Sequence, residues 1–354
     1  MTDIRSKTAY EYLHDTYLEN NFFVGVPRSK LTAKFQEYLK TTNGRLHRHG
    51  LPLADFMTWA NMRPEIKKGE QQFDAAMRLH KLSFDAATVY TQFVWSFTKG
   101  VFKIDQEIWK HLAEGEPPKI LPSDTLKRLP NWSQWLDTSL RMVRHDSASD
   151  TLFALTTEGF WSTYLCYDHQ NRTHMFLVAP TVMQIGKESF IATTLVMFDI
   201  TKDHEMEDNM DWQITATSTD GQTSVRFTKE HEIYGKILDG LVSAWIDSAV
   251  NALLFVASSV DNVYKGGVKG IVPRKQGKTF KVLPIRDVRV WHVGSELLNE
   301  IRQYESDVAS ESSQNRRAHI RRGHYHNYWY GPRDGERVLK AKWLPPCVVR
   351  GTAE

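Results

Sequence analysis

The sequence predicts an α+β fold, in which a helical N-terminal part is followed by a mixed, mainly antiparallel sheet packed on a long helix. Apolar residues recur at helical spacing up to about residue 120, and β-branched and aromatic runs follow. One long apolar stripe covers residues 233–259. The predicted regions are a helical region at residues 1–120 and an α+β region at residues 131–354, which ends in a basic hairpin.

The helical region contains SKLTAKFQEYLK, FDAATVYTQFVWSF and KIDQEIWKHLAEGEPP. The last of these ends in Gly115 and a pair of prolines, which end helices because proline lacks a backbone N–H and glycine readily leaves the helical conformation. A polar segment with several prolines follows, from Glu114 to Pro130, and predicts a linker.

The middle of the chain contains runs typical of strands, such as THMFLVAP and SFIATTLVMFDI. Their β-branched and aromatic side chains pack well on a pleated surface. Asp220-Gly221 predicts a hairpin turn, and SELLNEIRQYES predicts a late helix. Two final strands are predicted to join around Gly331-Pro332 and Asp334-Gly335.

Residues 233–259 form the longest apolar segment. Because it contains Lys236, Asp239 and Asp247, which would be costly in hydrocarbon, we interpret it as a core helix rather than a membrane span. The first residues have no apolar segment typical of a signal peptide, and two cysteines in 354 residues do not make a disulfide scaffold. These features predict a cytoplasmic protein without a membrane partner.

Charge is distributed unevenly along the chain. The formal net charge is +3, but residues 265–350 contain eighteen Lys and Arg against eight Asp and Glu. This surplus indicates either a surface that faces a polyanion or a solvated basic face that balances an acidic body.

Common catalytic and metal-binding motifs are excluded by individual positions. The segment GKT at 277–279 has Val272 where a phosphate-binding loop needs glycine. The acidic run 199–211 has Asp208 where a calcium loop needs glycine for its sharp turn. No Gly-x-Ser-x-Gly motif occurs, and Cys166 lies in an apolar run typical of core strands. No cofactor and no metal are expected.

The segment RRAHIRRGHYHNYWY, residues 316–330, is the most unusual in the chain, with four Arg, three His and four aromatic residues. As one continuous strand it would alternate its side chains between two faces. One face would carry Ile320, Arg322, His324, His326 and Tyr328. The other would carry His319, Arg321, Tyr325 and Trp329. His324 and His326 would then lie about 7 Å apart.

Four interpretations of this segment stay open. His324 and His326 could be two metal ligands, or a general acid and base of a metal-independent ribonuclease with Arg322 beside the phosphate. The segment could bind RNA through cationic and stacking side chains, or it could be an ordinary terminal strand. The predicted nucleic-acid or ribosome contacts are Arg316, Arg317, Arg321, Arg322, Tyr325, Tyr328, Trp329, Lys340 and Lys342.

HIRRGHYHNYWYG followed by LKAKWLPPCVV resembles the C-terminal signature of the large, second-described family of type V-A anti-CRISPR proteins. Further blocks in the same order are similar to that family: FVWSFTKGVFKIDQEI, LPNWSQWLD, EGFWSTYL, NVYKGG and VGSELLNEIRQYES. The resemblance covers most of the chain after about residue 80. Ala318 and Tyr325 depart from the family pattern, where Pro and Trp are expected.

The resemblance implies a function that composition does not show. Proteins of this family are understood to recognise the nascent N-terminal peptide of the type V-A CRISPR effector and to trigger loss of its mRNA. The implied partners are that peptide, the ribosome and the mRNA, with a host nuclease if the protein is an adaptor rather than an enzyme. The alternatives are an RNA-binding protein or ribonuclease acting through His324 and His326, and a direct inhibitor of the folded effector.

Overall fold

The computed structural model describes fifteen segments of the chain. They are residues 28–41, 84–147, 149–167, 172–206, 210–218, 224–231, 234–263, 274–277, 279–281, 287–310, 319–321, 323–332, 334–335, 337–344 and 347–349.

These segments contain helices and strands in the following chain order. They are α1 (Arg28–Thr41), α2 (Phe84–Trp95), β1 (Gly100–Ile104), α3 (Gln106–Ala113), β2 (Ile120–Leu121), α4 (Ser123–Leu126), β3 (Ser133–Asp146), β4 (Thr151–Tyr167), β5 (Arg172–Ile185), β6 (Glu188–Asp199), β7 (His204–Glu205), β8 (Met210–Ser218), β9 (Ser224–Thr228), α5 (Gly235–Val263), β10 (Arg274–Gln276), β11 (Thr279–Lys281), β12 (Arg289–Val293), α6 (Ser295–Ser310), β13 (His319–Arg321), β14 (His324–Tyr330), β15 (Val338–Leu344) and β16 (Cys347–Val349).

The main sheet has eight strands in the order β12-β1-β3-β4-β5-β6-β8-β9. Strand β1 is parallel to both of its neighbours, and every pairing from β3 to β9 is antiparallel. The predicted α+β class with a mixed, mainly antiparallel sheet is therefore confirmed. The predicted β8–β9 hairpin also forms, although its turn residues Asp220 and Gly221 lie outside the described residues.

The sequence had predicted a helical N-terminal region, but this region is not helical throughout. Helices α1, α2 and α3 form where expected, but Gly100–Ile104 is a buried strand between β12 and β3. The run GVFKI is short and apolar, and periodicity does not distinguish such a run from part of a buried helix. The division near residue 120 stays a prediction, and β1 joins the sheet formed by later strands.

Helix α5 is the predicted core helix and packs on β3, β4, β9 and β12 and against α3 and α4. Leu238, Ile246 and Val250 are fully buried in the main core. By length and composition Gly235–Ser259 could cross a membrane, but 78% of its most apolar window is buried inside this fold. Its polar Asp239 has a partner there, because the indole N–H of Trp212 donates to its carboxylate at 2.8 Å.

A second apolar layer covers the opposite face of the sheet. The ring centroids of Trp95 and Trp161 lie 6.1 Å apart, and those of Trp135 and Trp161 lie 4.5 Å apart. The hydroxyl of Tyr90 donates to the backbone carbonyl of Tyr164 at 3.1 Å, which fixes helix α2 against β4. The central strands are therefore covered on both faces, as long runs of consecutive buried residues require.

The pairing of strand β4 with both of its neighbours is irregular around Gly159. The pairing with β3 shifts between Asp137 and Leu140, and the pairing with β5 shifts between Thr156 and Trp161. A Cβ atom at Gly159 would collide with the backbone carbonyl of Leu136 and with the buried ring of Trp135. Glycine is needed here for space, because the neighbouring β3 backbone lies where a side chain would begin.

We expect Gly159→Ala to lower the free energy of unfolding by about 2–3 kcal/mol, because overpacking against backbone and a buried ring cannot relax easily. The measurement is urea denaturation of the full chain followed by tryptophan fluorescence. Gly240→Ala is the matched control. Its Cβ meets only the movable end of the Arg144 side chain, and alanine favours the helix, so stability should stay equal or rise by up to about 1 kcal/mol. Equal effects at both positions would contradict this account.

Candidate nucleic-acid interface

The C-terminal segment forms two small antiparallel sheets, β13 with β16 and β14 with β15. In the first, Arg321 lies opposite Cys347. In the second, seven consecutive pairs run from His324 and Leu344 to Tyr330 and Val338. The predicted terminal hairpin is confirmed, and its connection contains Gly331 with a φ of 124°, a left-handed conformation that favours glycine.

The pairing of β14 with β15 gathers cationic positions on one face of the hairpin. His326 lies opposite Lys342, and Tyr328 lies opposite Lys340. Because side-chain positions alternate along a strand, His324 shares this face. We call the face formed by His324, His326, Tyr328, Lys340 and Lys342 the basic hairpin face. The strand register thus places residues 324–328 of β14 opposite residues 340–344 of β15.

Two described side chains of this face lie close together and are exposed to solvent. His326 is exposed, Tyr328 is 37% exposed, and their ring centroids lie 4.6 Å apart. A guanidinium nitrogen of Arg321 lies 3.5 Å from Nε2 of His324. An exposed aromatic ring beside cationic groups can stack on a base while the cations neutralise phosphates.

The predicted assignment of Arg321 to the face opposite His324 is wrong. Strand β13 ends at Arg321 and β14 begins at His324, so the side-chain alternation is interrupted between them. This interruption allows Arg321 to contact His324. Within β14 the alternation holds, and the register places Tyr325 and Trp329 on the face opposite His326.

The other predicted contacts are described to different extents. Arg316, Arg317 and Arg322 lie outside the described residues. For Tyr325, Trp329, Lys340 and Lys342 the structure gives the position on the strand. His324 and His326 occupy alternate positions of one strand, which is the placement that the acid–base hypothesis requires. Their roles in binding or catalysis stay predictions.

A cluster around Asp199, at the end of β6, was missed by the sequence analysis. The Asp199 carboxylate accepts a hydrogen bond from the backbone N–H of Thr201 at 2.8 Å. Nε2 of His174 and Nε2 of His204 lie 3.9 and 4.0 Å from its Oδ2 atom. The sequence signal was weak, because His174, Asp199 and His204 belong to three different strands, and the acidic run that begins at Asp199 was compared only with a calcium loop.

The electrostatics of this cluster favour the charged carboxylate. Burial raises the pKa of Asp199, but the side-chain and backbone hydrogen bonds from Thr201 and the nearby His174 and His204 outweigh it, so the pKa is lowered overall. The adjoining Asp203 accepts from the N–H and hydroxyl of Ser123 at 2.9 and 2.7 Å. Part of the acidic run thus attaches the end of β6 to helix α4. Among the described residues, no group of three or more His, Cys, Asp or Glu could hold a metal ion.

Comparison with known families identifies the chain. A profile of the AcrVA2-like family, the Anti-CRISPR type V subtype A2 family, matches residues 102–351. The chain belongs to this anti-CRISPR family. The resemblance drawn from its sequence blocks is therefore confirmed, and the protein is a type V-A anti-CRISPR protein.

A solved structure shares the fold of this chain. The crystal structure of AcrVA2 is similar with a TM-score of 0.51 and 18% identity, covering 97% of this chain and 100% of that chain. At this identity the likeness shows a shared fold. A search of curated proteins gave no match.

We expect Asp199→Asn to lower the free energy of unfolding by about 1 kcal/mol at pH 7, because a charged hydrogen-bond acceptor is lost. The folded-state pKa lies below the ordinary value of 3.8. The carboxylate therefore stabilises the fold above that value, and the contribution is lost as pH falls through the folded-state pKa. Urea denaturation from pH 7 to pH 3 should show the difference between wild type and variant shrinking below about pH 4.

Asp124→Asn is the control for this experiment. The Asp124 side chain is 99% exposed, and its ion pair with Lys127 spans 3.8 Å, so its removal should change stability little at any pH. A constant difference between wild type and Asp199→Asn across the whole pH range would contradict the assigned role of the carboxylate.

Proposed function

We propose that this anti-CRISPR protein lowers production of the type V-A effector. In this proposal it recognises the effector's nascent N-terminal peptide in the cytoplasm during translation and triggers loss of the mRNA. Membership of the AcrVA2-like family supports the proposal at the level of the target system. The observation that carries the RNA-facing part is the basic hairpin face, where the β14–β15 register joins two histidines, a tyrosine and two lysines.

This face suits a ribosome or an mRNA for physical reasons. Phosphates are neutralised by lysine and arginine, and single-stranded bases stack on aromatic rings, so binding needs both kinds of group on one surface. Tyr328 and His326 supply neighbouring exposed rings, and Arg321 extends the cationic area beside His324. Such a surface holds the protein near the effector mRNA through contacts that do not depend on the RNA sequence.

Two mechanisms of message loss differ in what this surface does. As an adaptor, the protein binds peptide and ribosome while a host nuclease cuts the mRNA. As a ribonuclease, it cuts RNA itself, with His324 and His326 as acid and base and Arg321 stabilising charge on the phosphate. We propose the adaptor, because the two neighbouring rings of this face, His326 and Tyr328, are exposed and provide contacts suited to binding a large RNA surface.

The proposal predicts that effector mRNA falls in cells that contain this protein, with native codons and with synonymous codons alike. The reason is that the peptide, which is unchanged by synonymous substitution, is the recognised signal. The measurement is quantitative reverse transcription of the effector mRNA, with an unrelated mRNA as the control. Loss with native codons alone would point to recognition of RNA sequence. An unchanged message would contradict silencing and favour direct inhibition of the folded effector.

A second prediction concerns the basic hairpin face. We expect Lys340→Glu combined with Lys342→Glu to weaken binding to ribosomes or single-stranded RNA by at least about tenfold. The slope of log affinity against log salt should fall by about 2, since two phosphate contacts are lost. Fluorescence anisotropy with labelled RNA measures both quantities.

Lys119→Glu combined with Lys187→Glu is the matched control, because both lysines are exposed, lie outside the basic hairpin face and change the net charge by the same amount. Equal losses for the double variant and the control would show that only net charge matters. The same samples, run on a denaturing gel with and without EDTA, report whether the RNA stays intact. Metal-independent cleavage that disappears in His324→Ala or His326→Ala would replace the adaptor with the ribonuclease.

A further inference from the structure

Strand β12 is one edge of the eight-stranded sheet. It pairs with β1 in parallel over five consecutive residues, from Arg289 to Val293, without a register shift. Among the described strands, none pairs with its other side. The opposite edge of the sheet is β9, so the two edges can be compared.

Hydrogen bonds at the two ends of β12 show which of its residues point outward. The N–H of Arg289 donates to the carbonyl of Lys99 at 2.9 Å, and the carbonyl of Val293 accepts from the N–H of Asp105 at 3.1 Å. In a strand the N–H and C=O of one residue point to the same side, and successive residues alternate. Val290 and His292 therefore direct their backbone N–H and C=O groups away from β1, into the open edge.

Three of the five side chains of β12 are exposed to solvent. Val290 is 42% exposed although it is aliphatic, and Arg289 and His292 are exposed beside it. Natural edge strands are commonly protected by proline, a bulge or a charged residue in mid-strand. Strand β9 has the exposed Arg226 at its centre, whereas β12 has none of these devices among its three central residues.

We infer that β12 accepts an extended peptide as an added ninth strand of the sheet. The occupant follows from chemistry, because a row of outward N–H and C=O groups is satisfied by the backbone of another strand. The edge is about 16 Å long, which accommodates about five peptide residues. This inference rests on the proposed function, and the peptide that it assigns to the edge is the effector's nascent N-terminal segment.

The side chains beside the edge restrict the peptide. On the face toward α5, Trp291 stacks on Phe102 with centroids 5.3 Å apart and a partly exposed ring. On the other face Val290 lies beside the buried Val101, while His292 pairs with Lys103 in the register. Peptide side chains would alternate between these faces, so apolar residues are favoured next to Trp291 and Val290.

Val290→Pro tests this site selectively. Proline removes the outward N–H of residue 290 and places a ring in the path of an added strand, but it removes no hydrogen bond to β1. We expect at least about tenfold weaker binding of a synthetic peptide that comprises the effector's first fifteen or so residues, measured by fluorescence anisotropy with the full chain. Ile191→Ala, at an aliphatic residue of β6 that is 67% exposed and lies far from this edge, is the control and should leave affinity unchanged.

A second measurement does not depend on the proline variant folding. Peptides N-methylated at single positions lose one donor each, so wild-type protein should bind alternate members of the series weakly, with a period of two residues. Strong losses for Val290→Pro together with this period support the inference. Unchanged affinity for the variant, or a methylation series without alternation, would overturn it while leaving peptide recognition intact.

Two remaining outcomes are equally informative. If the wild-type protein does not bind the peptide at all, both the added strand and the nascent-peptide proposal are overturned. If sedimentation shows that the wild type forms a dimer that Val290→Pro abolishes, and peptide binding is unaffected, the edge pairs with a second copy of this chain and the peptide assignment is overturned.

Discussion

Burial of both faces of the central strands is the constraint on which the rest of the structure depends. In β4, Phe160 packs on Trp245 of α5 with centroids 5.7 Å apart, and the next residue, Trp161, packs on Trp135 on the other face. Consecutive side chains of one strand thus enter two different cores. Large aromatic side chains contribute much of this burial. Because they lie on both faces of the sheet, helices must pack on both faces.

The same constraint fixes how polar residues are used in these strands. Inside a sheet covered on both faces, a hydroxyl or amide must find its partner within the protein. Ser133 and Thr163 bond side chain to side chain at 2.8 Å, and Gln134 donates to the hydroxyl of Ser162 at 2.6 Å. These cross-strand pairs bind β3 to β4 next to the tryptophans, so register and packing agree. Towards the edges the covering ends, and there the backbone and charged groups become available to partners.

The sequence predicted the elements better than their assembly. Helix α5, the β8–β9 hairpin and the terminal hairpin follow from periodicity and turn residues, which are local. Strand β1 was missed because it is an inner strand whose pairing partner β12 lies far along the chain, so no local pattern indicates the pairing. The contact of Arg321 with His324 was missed because it depends on where a strand ends. The Asp199 cluster joins β5 to the residues at the end of β6 and just after it, a contact that no local pattern reports. The candidate interface was predicted by residue type, whereas its common face emerged only from the β14–β15 register.

The parallel pairing of β1 with β12 has a consequence for how the protein is made. Gly100 pairs with Arg289, across more than half of the 354-residue chain. Contacts between such distant residues slow folding, because a long loop must close before the pairing contributes any stability. During synthesis, β1 emerges long before β12. Until β12 is made, β3 is the one strand of the two that can pair with β1. The sheet therefore gains its final edge strand late, and the basic hairpin face is synthesised later still, so a truncated chain would carry neither.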